Sequence, residues 1–195
     1  DLPSIKEEDV YAVLDGKTDG IQAKLVQRVN NQHQAYAFLF NMLENSKEMD
    51  EETLKDLHQV LMDGFSDIGG LYRNVDISVD GSSHIPPSHI KVYDRMKKYF
   101  NTTLVKNPEH LFEHIAYSHV QLAKIHPFLD GNGRLSRLVL DYQLLKHNFL
   151  PILITKEERN AYFTCLESFK VDKDITPFIT FLTNHEKQAL TKALH

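Results

Sequence analysis

The sequence predicts an all-α, mostly helical fold, a helical bundle with one β-hairpin. Apolar residues recur at helical spacing along most of the 195 residues, and helix caps precede several of these stretches. One segment alone alternates apolar and polar residues, as a strand does. The length suits one domain with a small appendage. We expect an N-terminal helical extension in residues 1–45 and the domain core in residues 46–195.

The N-terminal third should contain three helices. Ser4 and Glu7 have the spacing of a capping box, which predicts a short helix that ends near Gly16. Apolar residues recur every three or four positions over residues 21–44, which predicts one long amphipathic helix. Asp50 is placed to cap the third helix.

The rest of the chain should be helical too. A start signal for a helix is a capping residue, or a proline in the first turn. Such signals occur at Pro87 or Ser88, at Asn107 followed by Pro108, at Asn132, at Thr155 with Glu158, and at Pro177. Asn148 is expected to end the helix that begins at Asn132, in a left-handed conformation.

The stretch NVDISVDGSSHIPP interrupts the helical pattern. Val75, Ile77 and Val79 alternate with polar residues, and Asp80-Gly81 is a turn signal because a tight hairpin needs positive φ there. These features predict a β-hairpin at about residues 73–86. An isolated hairpin is marginally stable, so it should either pack on the helices or serve a function.

Charge and composition exclude several classes of function. The net charge is −5, which argues against nucleic acid as a partner and means that any anion site is a local concentration of positive charge. The apolar runs are too short to cross a bilayer, so no membrane association is expected. Cys165 is the only cysteine, which fits a reducing compartment and predicts a cytoplasmic protein.

The stretch HPFLDGNGR, residues 126–134, concentrates unusual chemistry in one helix connection. Gly131 and Gly133 permit backbone conformations closed to other residues, and successive N–H groups there can bind an anion. Arg134 and Arg137 share a face at the start of the next helix, where positive side chains are unfavourable unless an anion is present. The pattern predicts a ligand with more than one phosphate.

Two further residues of the connection suggest a reaction. Asp130 would be repelled by phosphate oxygens unless a hard cation such as Mg²⁺ lies between them. His126 is then a base close to a phosphorus centre. Pro127 and Phe128 are interpreted as the buried part that fixes the loop.

Residues 126–137 resemble the signature of the Fic family, H-P-F-x-[D/E]-G-N-G-R-x-x-R, and match it at every position. The stretch GGLYRNVDISVDGSSHIPP resembles the G-x-Y-R segment and flap hairpin of that family. SIKEEDVYAVLDGKT resembles its N-terminal extension, and ITKEERNAYFTCLESF resembles the helix that flanks the nucleotide. The resemblance implies the mostly helical Fic fold, with the Fic domain core in residues 46–195.

The resemblance also implies an activity, which is Mg²⁺-dependent transfer of AMP from ATP to a Ser, Thr or Tyr hydroxyl of a target protein, with release of pyrophosphate. Carried over by position, His126 would deprotonate the hydroxyl and Asp130 would hold Mg²⁺. The other implied site residues are Gly131, Asn132, Gly133, Arg134, Arg137 and Tyr162 for the nucleotide, and Ile77, Ser78 and Val79 of the flap for strand addition to the target. Tyr162 is as well explained as a core tyrosine.

The implied partners are ATP and a protein target, which in this family includes the enzyme itself. Many members form dimers or larger oligomers, although no interface stands out in this sequence. Many are also restrained by a helix of pattern [S/T]-x-x-x-E-[G/N], whose glutamate pairs with the second signature arginine. Ser4 to Glu8 matches only its first part, so our hypothesis places the inhibitory helix upstream of residue 1 and leaves Arg137 unrestrained.

Three alternatives stay open at this point. One is the reverse hydrolysis, removal of AMP from a modified protein, and another is a regulatory module that binds ATP without turnover. The third comes from His110, Glu113 and His114, which fit H-x-x-E-H, an inverted zinc-protease pattern with no identifiable third ligand. His119 is interpreted as a structural residue or as one that supports the site without contacting the ligand.

Overall fold

The described residues of this computed structural model are 6–79, 84–104 and 109–193, and they form eight α-helices. The bounds are α1 Glu7–Leu14, α2 Ala23–Glu44, α3 Glu51–Met62, α4 Val92–Lys98, α5 Leu111–Ile125, α6 Asn132–Lys146, α7 Arg159–Asp172 and α8 Thr176–Ala193. A 3₁₀ turn, His89–Lys91, precedes α4, and a π-helical turn, Tyr99–Thr103, follows it. The described residues contain no strand, and the all-α expectation is confirmed. None of their helices has the length and apolarity that crossing a membrane requires.

The β-hairpin at residues 73–86 is not found in the described residues. Residues 73–79 and 84–86 are irregular, and the predicted turn at residues 80–83 lies outside the described residues. Side chains rather than a strand ladder connect the two limbs. The buried guanidinium of Arg73 donates to the carbonyls of Val75 and Pro87, while the Asp76 carboxylate accepts from the His89 N–H at 2.6 Å. These bonds use backbone groups of both limbs that a strand ladder would otherwise pair.

The described residues separate into two compact units, of which the first ends at Leu71. In this unit α2 packs against both α1 and α3. Asp50 caps α3 as predicted, since its Oδ1 accepts from the Thr53 N–H at 2.8 Å. At the other end of α3 the buried Asn31 donates to the carbonyls of Leu61 and Asp63. The predicted domain boundary between residues 45 and 46 lies inside this unit and stays a prediction.

The second unit begins at Tyr72 and holds the signature loop. Here α5 packs on α6 and α8, and α7 packs on α8. The capping box before α7 is confirmed, because Thr155 and Glu158 exchange bonds between side chain and backbone N–H at 3.0 and 3.4 Å. Asn148 follows α6 with φ 63°, the left-handed conformation that was predicted. The core includes Ile115, Leu140, Leu144, Tyr162, Phe178 and Leu182.

His119 of α5 joins four helices of this unit. Its Nδ1–H donates to the Ser136 carbonyl of α6 at 3.0 Å, so the neutral ring accepts at Nε2 from the Tyr162 hydroxyl of α7 at 2.8 Å. Its ring stacks on Phe178 of α8, with 5.1 Å between centroids. Complete burial lowers the pKa of His119 to about 4. The bond to Ser136 opposes this lowering, and the positive charge of Arg137 adds to it.

The turn between α5 and α6 is closed by one side chain. His126 ends α5 at φ 50°, Gly131 precedes α6 at φ 76°, and Phe128 between them is fully buried. The buried Asn132 amide pairs with both backbone groups of Phe128, accepting from its N–H at 2.9 Å and donating to its carbonyl at 2.8 Å. Arg73 braces the same turn from outside, because its Nε donates to the His126 carbonyl at 2.9 Å.

We expect the protein to lose stability as the pH falls from 6.5 towards 4. In this range His119 is protonated in the unfolded chain, whereas the buried ring stays neutral in the folded protein. Each pH unit is worth about 1.4 kcal/mol, so the loss from this residue alone is roughly 3 kcal/mol. NMR titration of the His119 ring, together with urea unfolding at each pH, measures both quantities. A His119 ring that titrates near 6.5 would contradict the expectation.

Replacing Asn132 by Ala should lower the free energy of unfolding by about 1–3 kcal/mol, because a buried N–H and a buried carbonyl of Phe128 lose their partners. Asn160→Ala is the matched control, since Asn160 is exposed in the first turn of α7. Urea unfolding measures both variants. Equal losses in the two would show that the amide does not hold the turn.

Candidate active site

A cavity of about 140 Å³ lies beside the signature loop, between α5, α6 and α7. Six of the residues that the sequence singled out line it, namely His126, Asn132, Gly133, Arg137, Tyr162 and Val79. The remaining five are not among the lining residues, namely Asp130, Gly131, Arg134, Ile77 and Ser78. The structure therefore brings together the histidine, the second arginine and the first turn of α6.

The half-buried ring of His126 is fixed in one tautomer. Its Nδ1 lies 3.2 Å from the Ala123 carbonyl, which can only accept, so Nδ1 carries the proton and Nε2 of the neutral ring keeps its lone pair. Burial lowers the pKa of His126, and the positive charges of Arg73 and His84 add to this, while the Ala123 bond and Asp130 act against it. The side chain is thus held as a neutral base at neutral pH.

The first turn of α6 presents backbone N–H groups to the cavity. The first bond inside the helix runs from the Leu135 N–H to the Gly131 carbonyl at 2.9 Å, so the N–H groups of residues 132–134 precede the helical ladder. With the positive end of the helix dipole they form an anion-binding position. The Asn132 side chain is committed to Phe128, so a contact from this residue to a ligand would come from its backbone N–H.

The two glycines of the loop have different uses. Gly131 has φ 76°, where other residues are strained, as predicted. Gly133, in contrast, lies inside α6 without positive φ, which corrects the expectation for this residue. A Cβ on Gly133 would meet only Arg137 Nη1 at 3.6 Å within 4 Å. Because Gly133 has no Cβ, the helix backbone is accessible at this position and a ligand can approach it closely.

Asp130 lies at the loop surface, and Arg134 is mostly buried beside it. Asp130 Oδ1 accepts from the Gly131 N–H at 2.6 Å, and Oδ2 lies 3.9 Å from Arg134 Nη2. The Asp130 side chain is 78% exposed, whereas that of Arg134 is 16% exposed. The described residues contain no group of three or more potential metal ligands. A single exposed carboxylate suits Mg²⁺, which usually takes one or two protein carboxylates and completes its shell with water and phosphate oxygens.

Arg137 lies close to Tyr162, whose hydroxyl is bonded to His119. The Tyr162 hydroxyl donates to His119 Nε2, and its oxygen faces the Arg137 guanidinium closely enough to accept from it. Burial raises the pKa of Tyr162, and the contact with Arg137 opposes this rise. Tyr162 is 4% exposed, so it is a core tyrosine that also lines the cavity. Sequence reasoning assigned His119 a supporting or structural role, but it could not show this contact, because the three residues come from three different helices.

Arg73 is a second residue whose role the sequence did not assign. Its side chain is buried and bonds the carbonyls of His126, Val75 and Pro87. Burial lowers the pKa of Arg73, and Asp76 opposes this effect. The sequence offered one signal for this role, which is a charged residue inside the stretch LYRNV. An arginine can be buried only if several acceptors surround its guanidinium.

The flap residues keep the alternation that the sequence showed, without a strand. Ile77 and Val79 are half-buried and Ser78 is exposed, and Val79 lines the cavity. The zinc-protease pattern, in contrast, is not assembled on one helical face. His110 precedes α5 and is exposed, and burial together with the His147 charge lowers the pKa of His114.

Comparison with known proteins identifies the family. The Fic/DOC family model matches residues 48–144. The chain is 37% identical over 115 residues to a protein named protein adenylyltransferase Fic from Nematostella vectensis, covering 58% of this chain and 26% of that protein. The relative of the same name from Drosophila grimshawi is 33% identical over 147 residues, covering 72% and 30%. The chain therefore spans less than a third of the length of these relatives.

Solved structures support the same assignment at the level of the fold. Fic-1 (residues 134–508) from C. elegans has a TM-score of 0.84 at 20% identity, covering 98% of this chain and 58% of that one. A Fic family protein from Desulfovibrio desulfuricans G20 has a TM-score of 0.79 at 26% identity, covering 98% and 61%. With its complete signature loop, this helical chain belongs to the Fic/DOC family.

Proposed function

We propose that this chain is the catalytic part of a protein adenylyltransferase, which transfers AMP from ATP to a Ser, Thr or Tyr hydroxyl of a target protein. The observation that carries the proposal is the position of His126, which keeps Nε2 unprotonated and lines the same cavity as the first turn of α6 and Arg137. The relatives' name supports this activity. Because the chain spans under a third of their length, the activity comes to this chain as a proposal.

In the proposed reaction His126 removes the proton from the target hydroxyl. The hydroxyl oxygen forms a bond to the α-phosphorus of ATP as the bond from that phosphorus to the bridging oxygen breaks. AMP is then attached to the target as an ester, the proton is on His126 Nε2, and pyrophosphate leaves. Phosphoryl-type transfer needs little from a protein beyond positioning and stabilisation of charge, which suits a site built from one base and several cationic groups.

The α6 start and the two arginines hold the phosphates in this proposal. The N–H groups of residues 132–134 and the Gly131 turn cradle phosphate oxygens, as helix N-termini do in many nucleotide sites. Arg137 and Arg134 stabilise the distal phosphates that become pyrophosphate. Tyr162 contributes from the cavity wall, because its hydroxyl orients the Arg137 guanidinium.

Asp130 supplies the protein ligand for Mg²⁺ in the proposed site. Its exposed carboxylate lies one residue before the turn that would cradle the phosphates, whose oxygens would repel it without a cation between them. When bound, Mg²⁺ neutralises phosphate charge and fixes the geometry of the triphosphate. The flap residues Ile77, Ser78 and Val79 would present an edge to an extended target segment.

Incubation with α-labelled ATP and Mg²⁺ should label this protein or an added protein mixture, and His126→Ala should reduce the rate about 10²–10⁴-fold through loss of the base. His110→Ala is the matched control, because His110 is exposed before α5 and does not line the cavity. Its labelling should equal that of the wild type, and label should require Mg²⁺.

Other outcomes would distinguish the alternatives. Equal labelling by His126→Ala would remove His126 from the mechanism. Release of AMP from a premodified protein, without labelling from ATP, would favour the hydrolase. Loss of activity in His110→Ala with stoichiometric zinc would favour the zinc site.

The acidic limb of the pH profile for kcat/KM should have its midpoint below 6.5, because burial lowers the pKa of His126 from that ordinary value. The base form is present above this pKa, so the rate falls tenfold per pH unit below it and levels off above it. Initial rates of labelling from pH 5 to 8 measure the profile. A midpoint above 6.5, or a rate independent of pH, would contradict the assignment of the base.

A further inference from the structure

A second cavity, of about 320 Å³, lies between residues 84–87, α4 and α5. We call it the basic groove and define it by His84, Ile85, Arg95, Lys98, Tyr117 and Lys124. It carries three cationic side chains, from two helices. Ile85 is 82% exposed and Tyr117 is 42% exposed, so the groove also offers apolar surface.

The positive charge of the basic groove is not balanced by acids of the described residues. No Asp or Glu of the described residues lines it, and none of them forms an ion pair with Arg95 or Lys98. Elsewhere some lysines have acidic partners, such as the half-buried Lys55 with Glu51 at 2.6 Å. In a chain of net charge −5, an unbalanced group of cations in a cavity is a local feature that an anionic partner would complement.

This arrangement destabilises the charged form of Lys124. Burial lowers the pKa of Lys124, and the charges of Lys173, Arg95 and Lys170 lower it further. Its ammonium group also lies 5.0 Å from the centre of the Phe169 ring. A carboxylate in the groove would relieve the repulsion among these cations.

The basic groove adjoins the candidate active site. His84 and Lys124 line both cavities, and His84 Nε2 donates to the Lys124 carbonyl at 2.8 Å, so this pair forms part of the wall between them. Ile125, which lines the groove, immediately precedes His126. A chain bound in the groove would therefore pass beside the proposed base.

We propose that the basic groove binds an acidic segment of the protein whose hydroxyl is modified, an inference that rests on the proposed transfer of AMP. Arg95 suits bidentate contact with a carboxylate, and Lys98 and Lys124 add positive charge. Ile85 and Tyr117 accept an apolar side chain, and Gln121 and Thr103 offer hydrogen bonds to an extended backbone. The volume and apolar walls fit a peptide better than a single phosphate ion.

Three pools of fluorescent twelve-residue peptides with one central threonine test the inference. The flanking positions draw on Asp, Glu and apolar residues in the first pool, on Asn, Gln and apolar residues in the second, and on Lys, Arg and apolar residues in the third. Fluorescence anisotropy at low and at physiological salt measures binding. The acidic pool should bind most tightly, and added salt should weaken it most.

Two double variants identify the site of binding. Arg95→Gln with Lys98→Gln should weaken binding of the acidic pool roughly three- to tenfold, as expected for two partly exposed ion pairs. Lys91→Gln with Lys97→Gln is the matched control, since both lysines are exposed near Arg95 but do not line the groove. It removes the same charge and should leave binding within twofold of the wild type.

Several results would overturn the inference. These are binding that is independent of flanking charge, equal losses in the two double variants, or a stronger preference for a single-stranded oligonucleotide that Arg95→Gln with Lys98→Gln abolishes. The same samples are then incubated with α-labelled ATP and Mg²⁺. Label on the threonine regardless of flanking charge would refute the groove and leave the proposed function intact. Charge-dependent binding without label on any pool or protein would refute the proposed function and leave groove binding intact.

Discussion

The amide of Asn132 is the interaction on which the candidate site depends. Helices α5 and α6 pack against each other, so the residues between them must reverse the chain while Phe128 is buried. A buried backbone without partners is costly, and the Asn132 amide pairs with both polar groups of Phe128 at once. As a result the end of α5, which carries His126, and the start of α6 face one cavity.

Burial keeps the rings of His126 and His119 neutral, and their hydrogen bonds decide which ring nitrogen is protonated. The Nδ1–H of His126 donates to a carbonyl and leaves Nε2 unprotonated, whereas both nitrogens of His119 are hydrogen-bonded inside the protein. The lowered pKa of each ring has the same first cause, which is loss of water around the charged form. The two rings nevertheless differ in role. One lines the cavity, and the other is bonded to Tyr162, which lies close to Arg137.

Positive charge is concentrated in an acidic chain at two adjoining places. Arg134 and Arg137 follow the start of α6, where the helix dipole already favours anions, and Arg95, Lys98 and Lys124 line the neighbouring groove. Repulsion among cations destabilises a free protein, so such groups are most readily explained by anionic ligands. One surface of this unit thus carries the proposed polyphosphate site and, beside it, the proposed site for carboxylates.

Features that depend on residues close in the chain were predictable from the sequence. The Asp50 cap, the Thr155–Glu158 box and the left-handed Asn148 were all confirmed, since each needs only a short stretch of chain. The signature loop likewise indicated the family, because twelve consecutive positions carry the pattern. The predicted hairpin was not found in residues 73–79 and 84–86, because alternation cannot reveal that Arg73 binds carbonyls from both limbs.

The sequence by itself therefore determined the helical fold, the caps before α3 and α7 and the family of the loop. Only the tertiary structure decided which nitrogen of His126 keeps its lone pair, that Tyr162 lies close to Arg137, and which lysines and arginines share a groove. These depend on desolvation and on contacts between residues far apart in the chain, such as His119 with Tyr162 and Arg73 with His126. Burial sets the energies of these contacts, and a local pattern of residues does not show which distant side chains are buried together.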